Sequence, residues 1–244
     1  MITEDINEWV PFIGIVEDVA DPKKVGRVKV RIINHHDDDL PTKDLDWSTP
    51  ILPVTSASKQ GIGTSPTFLS VGSMVIGFFL DGSMRGMPMI LGTFPKIPDG
   101  DVKKHDVNKR ARGINEIKNK KTGPEPAPAF KGKYPHIKTM STESGHQVEL
   151  DDTPGEERVM VRHKSGSYVE INKDGRVVIK SVDDEYIIAE KDLTSYSKGN
   201  SKFESKGKMT IKVAGKCEII ATGDCLVSSG TTLSLRAPVV DLMG

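Results

Sequence analysis

The side chains that could do chemistry fall into a few small groups. His35, His36, Asp37, Asp38 and Asp39 offer imidazole and carboxylate donors in one run. Successive side chains of an extended segment point to opposite sides, so five consecutive residues do not close on one ion. The run reads as a solvated loop. Cys217 and Cys225 are the only cysteines, and they read as reduced, small apolar residues of a protein folded in a cytosol, not as a disulfide or metal pair. His146, in Ser144-Gly145-His146, has serine and acidic neighbours, but the members of a catalytic triad converge from distant segments. Gly61-Ile62-Gly63 lacks the glycine spacing and following helix of a phosphate loop. Glu116 and Glu125 lie in a stretch with nothing to hold them at the roughly 5–10 Å that glycoside hydrolysis requires. No catalytic residue, cofactor site or metal site is expected.

The two cysteines belong instead to a repeat. Gly199, Gly207, Gly215 and Gly223 are spaced by eight, and Gly230 comes one residue early. Two positions after the glycines run Ser201, Met209, Cys217, Cys225 and then Leu233; four positions after run Phe203, Ile211, Ile219, Val227 and then Leu235. Lys208, Thr210, Lys212, Lys216, Glu218 and Asp224 lie between these columns. This is strand alternation interrupted by a residue able to take a positive φ, the signature of a β-solenoid. One such strand buries too little to offset the entropy of ordering it, and it leaves both backbone edges unpaired. Eight residues are too few to circle a cross-section, but they suit several chains winding round one axis. Three chains give the simplest closure. An intertwined homotrimeric β-helix is therefore expected, with Phe203, Met209, Ile211, Cys217, Ile219, Cys225, Val227, Leu233 and Leu235 as the trimer core. Gly199, Gly207, Gly215 and Gly223 are its repeat turns.

The rest of the chain must carry this repeat. Its 244 residues have a formal charge of zero and only 5% aromatics, with 23 glycines and 15 prolines. That balance disfavours a general affinity for nucleic acid or anionic membrane and suits a turn-rich β protein. No run is long enough to span a membrane, and Met1–Trp9 has no signal-peptide core. Residues 1–98 read as a five-stranded barrel, an OB-fold, on strands around Phe12–Val16, Val28–Ile32, Trp47–Val54, Ser73–Leu80 and Met87–Phe94. Asp21-Pro22 and Asp81-Gly82 mark connections. Residues 99–133 form a linker, first basic (Lys103, Lys104, Lys109, Arg110, Arg112, Lys118, Lys120, Lys121) and then proline-rich. Without interleaved aromatics, the basic run is not expected to bind nucleic acid. Residues 134–186 read as a meander of short strands separated by Ser144-Gly145, Asp152–Gly155, Ser165-Gly166 and Asp174-Gly175. The repeat domain occupies residues 187–244.

Phe12-Ile-Gly-Ile-Val-Glu-Asp-Val-Ala-Asp-Pro-Lys-Lys-Val-Gly-Arg-Val-Lys-Val-Arg resembles the start of the OB-fold domain of the central spike proteins of contractile-tailed phage baseplates. Thr55-Ser-Ala, Gly61-Ile-Gly and Leu91-Gly-Thr-Phe match its later part. Tyr134-Pro, Thr142-Glu-Ser-Gly-His, Asp151-Asp-Thr-Pro-Gly-Glu-Glu-Arg and Gly166-Ser-Tyr-Val-Glu resemble the beginning of that family's trimeric β-helix, and also the spike (VgrG) proteins of type VI secretion. The resemblance implies an all-β homotrimer in a virion tail baseplate, assembled in the host cytoplasm. It would dock on a hub protein through the barrel and pierce the host outer membrane with a short prism. The largely uncharged tail from Ala237 to Gly244 would meet a separate small tip protein. Some family members carry a lysozyme domain between barrel and β-helix, whereas this chain has only the linker there, so no enzyme activity is expected. The alternative is a trimeric receptor- or glycan-binding stalk. Such a stalk needs an exposed aromatic platform, and Trp9 and Trp47 are the only tryptophans.

Overall fold

The computed structural model describes residues 9–64, 67–95, 126, 129–238 and 240. Apart from two three-residue helical turns, every regular element among them is a strand. β1 (Val10–Asp18), β2 (Val28–Ile32), β3 (Trp47–Pro50), β4 (Met74–Phe79) and β5 (Pro88–Thr93) close a barrel in the order β1-β2-β3-β5-β4. All neighbours run antiparallel except β3 and β5, which pair in parallel with Thr49 opposite Met89. This is an OB-like barrel. Alternation sends Phe12 and Val16 of β1, Val28, Val30 and Ile32 of β2, Val75 and Phe79 of β4, and Ile90 of β5 into one core. The third strand stops at Pro50, short of Val54, although the Ile51 N–H still donates to the Ile90 carbonyl at 2.8 Å.

Gly77 shows how tightly the barrel closes. The β4–β5 register shifts beside it, and a side-chain carbon there would collide with the Met89 carbonyl and the Phe12 ring. On the outside, Trp47 lies between the cations of Arg27 and Lys29, at 5.3 and 5.1 Å from its ring centre. The β1–β2 loop is organised by Asp21. Its carboxylate accepts the backbone N–H groups of Lys23 (3.0 Å), Val25 (3.0 Å) and Arg27 (3.3 Å), and pairs with the Arg27 guanidinium at 2.6 Å. Glu17 accepts from Arg31 at 2.5 Å and from the Thr42 hydroxyl at 2.7 Å.

A second sheet follows as a sequential antiparallel meander: β6 (Ile137–Ser141), β7 (Gln147–Asp151), β8 (Arg158–Arg162), β9 (Tyr168–Ile171) and β10 (Val177–Lys180). The tight turn between β8 and β9 needs a positive φ, which Gly166 supplies at 101°.

Contacts divide the chain into Met1–Tyr186 and Ile187–Gly244. In the second unit the chain bends at 190–191, 198–199, 206–207, 214–215, 222–223 and 230–231. The same period already holds at 182–183. It therefore starts before the first repeat glycine, and Gly230 does not break it. That glycine takes the first place of its bend where Gly199, Gly207, Gly215 and Gly223 take the second. No strand ladder forms among the described residues of this unit.

The barrel's carboxylates set its response to acid. The Arg27 guanidinium, helped by three backbone N–H groups, holds the Asp21 carboxyl well below the usual carboxylate range. Arg31, then Thr42, does the same for Glu17. The unfolded chain therefore binds more protons than the folded one, and stability falls as pH is lowered through and below about pH 4. Thermal unfolding followed between about pH 5 and pH 3 should show a falling midpoint, with a shallower fall for Asp21→Asn. Equal slopes for the two proteins would mean that Asp21 does not carry the effect.

Candidate functional site

The second sheet is built inside out. On β7, Gln147, Glu149 and Asp151 point to one side and Val148 and Leu150 to the other. β8 continues the pattern with Arg158 and Met160 against Val159 and Val161, and β9 with Tyr168 and Glu170 against Val169 and Ile171. The charged side is the buried one: Glu149, Arg158 and Glu170 are 1%, 3% and 2% exposed. Val148, Leu150, Val159, Val161, Val169 and Ile171 are 39–52% exposed, and Val177 and Ile179 of β10 more so.

Residues 129–133 cover the charged side as a strap. The Ala129 N–H donates to Glu170 at 3.4 Å, the Phe130 ring lies 5.0 Å from the Arg158 guanidinium, and the Lys133 N–H donates to Thr153 Oγ1 at 2.9 Å. Gly132 fits where a side chain would meet Asp151 and Ile137. Lys131 pairs with Glu156 at 3.0 Å, and Lys173 reaches the same carboxylate at 3.2 Å. Beneath the strap, Glu149, Met160 and Glu170 stand opposite one another across three strands. Arg158, one same-side position along β8, pairs with Glu149 and with Glu170, the latter at 2.8 Å. Gln147 donates to Glu149 at 2.6 Å, and Asp151 accepts from the Thr153 hydroxyl at 2.6 Å. Burial lowers the pKa of Arg158 while its bond to Glu170 opposes the shift, and an arginine stays charged throughout the physiological range.

The octads have two sides as well. Lys202–Glu204 and Lys216–Glu218 form ion pairs two residues apart along one side. Alternation puts the expected core residues on the other. Phe203, Met209, Ile211, Ile219, Val227, Leu233 and Leu235 are all exposed in the single chain, and so are the free thiols of Cys217 and Cys225. Gly199, Gly207, Gly215 and Gly223 each fall at a bend. None of them has a positive φ, and an added Cβ would meet nothing within 4 Å. The bend at Glu190-Lys191 forms without glycine altogether. Within one chain, neither backbone strain nor crowding calls for glycine at these corners. Serines support three of the bends, Ser197, Ser205 and Ser229 each accepting the N–H two residues on at 3.3 Å.

The remaining candidate residues do not converge. His36 Nδ1 accepts the Ile32 N–H at 3.0 Å, and His35 sets its ring edge-on to Phe79 at 5.3 Å. His146 packs beside His163 with ring centres 4.5 Å apart and the rings tilted, a pairing that separation in sequence concealed. Among the described residues no three side chains of metal-ligand type come together. Glu116, Glu125 and the basic run from Lys103 to Lys121 lie outside the described residues. The buried Arg158 row also escaped sequence reading, because alternation looks the same whichever side is covered.

Residues 30–123 match the Gp5 N-terminal OB domain. Protein Gp5 of Vibrio phage KVP40 is 29% identical over 273 residues, covering 83% of this chain and 64% of the relative. The pre-baseplate central spike protein Gp5 of Enterobacteria phage T4 is 45% identical over 78 residues, covering 32% of this chain and 14% of the relative. The chain thus spans less than two thirds of either relative's length.

The ion row makes a directional prediction. Arg158→Ala strands two buried carboxylates and should cost about 3–5 kcal/mol in denaturant unfolding of the full chain. Arg158→Met combined with Glu149→Leu and Glu170→Leu removes all three charges and should be neutral or stabilising. If the triple variant lost as much as the single one, the row would matter by shape and not by charge.

Proposed function

We propose that this chain, which carries a Gp5 N-terminal OB domain and is homologous to the Gp5 proteins of phages KVP40 and T4, is a central spike of a contractile-tail baseplate and acts as a homotrimer. The reading divides it into a barrel (1–98), a linker (99–133), a collar (134–186) and a prism (187–244). The observation that carries it is the bare apolar side of the octads, repeated at a period of eight with no partner strand among the described residues. Three chains wound together would bury that side, pair the open backbone edges and leave the Lys–Glu pairs in water. The repeat glycines then have a purpose that a single chain lacks: they leave room at each corner for the neighbouring chain.

The work of such a spike is mechanical. Backbone hydrogen bonds between chains and an unbroken apolar interior give a prism that carries axial load, and sheath contraction supplies the force. The barrel docks on a hub protein, and the prism pierces the host envelope. The linker, residues 99–133, is too short to fold as a lytic domain of its own, which supports a spike without one between barrel and collar. The stalk alternative gains no support from Trp47, whose ring is engaged by Arg27 and Lys29.

Light scattering of the purified chain should give three times the monomer mass of 26.7 kDa. Ile211→Asp with Ile219→Asp, or deletion of Lys198–Gly244, should reduce it to the monomer. A parent chain that stays monomeric at micromolar concentration would overturn the trimer. Incubation with purified peptidoglycan should release no soluble fragments, and release would overturn the non-enzymatic reading.

A further inference from the structure

The barrel holds a cavity of about 380 Å³ that none of these roles uses. One wall is the β1–β2 loop at Lys24, the floor is the end of β3 at Thr49, and the other wall is the loop bearing Ser58, Lys59, Gln60 and Thr64. Two lysines, four hydroxyl residues (Thr49, Ser58, Thr64 and Thr67) and a glutamine thus line it, and none of its lining residues is acidic or aromatic. A cation finds no counter-charge there. A nucleobase or sugar ring finds nothing to stack on.

Both walls are fixed in advance. Asp21 ties down the first loop through three backbone N–H groups and the Arg27 side chain. In the second, Ser56 Oγ accepts the Thr64 N–H at 2.9 Å, and Ile62 bonds back to Lys59 at 2.9 Å. The walls are also strained. Lys24, Ser58 and Gln60 have φ of 53°, 47° and 51°. They are three of the five non-glycine residues with positive φ among those described, and all three line this cavity. Backbone held in that region persists where surrounding contacts over-determine it, and such residues gather at ligand sites. The position, at the end of β3 and beside the β1–β2 loop, adjoins a loop that OB-folds use for ligands.

We infer that this cavity is a socket for a carboxylate-bearing peptide segment, presented by the protein on which the barrel docks. Lys24 and Lys59 supply the charge, and the hydroxyls and Gln60 supply hydrogen bonds to carboxylate and backbone. The inference rests on the proposed docking role only for the source of the segment. The preference for an acidic peptide is a property of the socket itself.

The test uses the full chain and a fluorescein-labelled Asp/Glu hexapeptide, read by anisotropy against an Asn/Gln hexapeptide of the same length. The acidic peptide should bind saturably and the neutral one should not. Lys24→Gln with Lys59→Gln should weaken binding about tenfold, as expected for two exposed ion pairs, with the unfolding midpoint unchanged. Lys138→Gln, on the second sheet, should leave binding as it was. Equal binding of the two peptides, or undiminished binding by the double variant, would overturn the socket. Inorganic phosphate competing as well as the acidic peptide would overturn the peptide assignment. No hub protein is present in this assay, so its failure leaves the docking role standing.

Discussion

Strand geometry sends every second side chain to the same side, and in the octads from Phe203 to Leu235 one of the two sides is mainly apolar. No element of the same chain covers it among the described residues of the octads. Much else follows from that uncovered surface. Exposed apolar area on this scale exceeds what a soluble monomer ordinarily shows and marks an interaction surface. A strand of eight residues with open edges has the same need for its backbone groups. One kind of neighbour, another copy of the repeat, answers both needs at once, since it offers an equal apolar side and an equal backbone edge.

The charged face of the second sheet answers the opposite problem. Glu149, Arg158 and Glu170 are out of water although their strands have only a five-residue strap above them. An apolar row there would have given the sheet two greasy sides and no means of telling them apart. A row of ions needs defined partners, which the strap supplies through Phe130, Ala129 and Lys133. Buried ion sets of this kind add little net stability, but removing one partner is costly because it leaves an uncompensated charge. Here the row marks the face that the strap covers and leaves the apolar face open in the single chain.

Much of this was legible in the sequence. Asp-Gly and Ser-Gly pairs placed the meander turns, and proline and glycine bounded the barrel strands, because glycine reaches the positive φ that turns need and proline cannot donate to a ladder. The period of eight was visible where glycine marks it. It was not visible at 182–183 and 190–191, where Asp183 and Lys191 occupy the corners that glycine takes later. The facing of Glu149 and Glu170 was hidden for a different reason: period two says which residues share a side, not which side is covered. The strained backbone at Lys24, Ser58 and Gln60 was beyond reach as well, since nothing in a lysine, serine or glutamine announces a left-handed conformation.

Eight is an even number, and the bends hold to it from Val182 to Thr231 even where the glycine moves by one place. A whole repeat gained or lost through unequal recombination therefore leaves every later residue facing the way it did before. A single inserted codon would turn all of them over, apolar side outward. The repeat thus works as a ruler graduated in octads. Its length can change in whole graduations without altering which residues share a side.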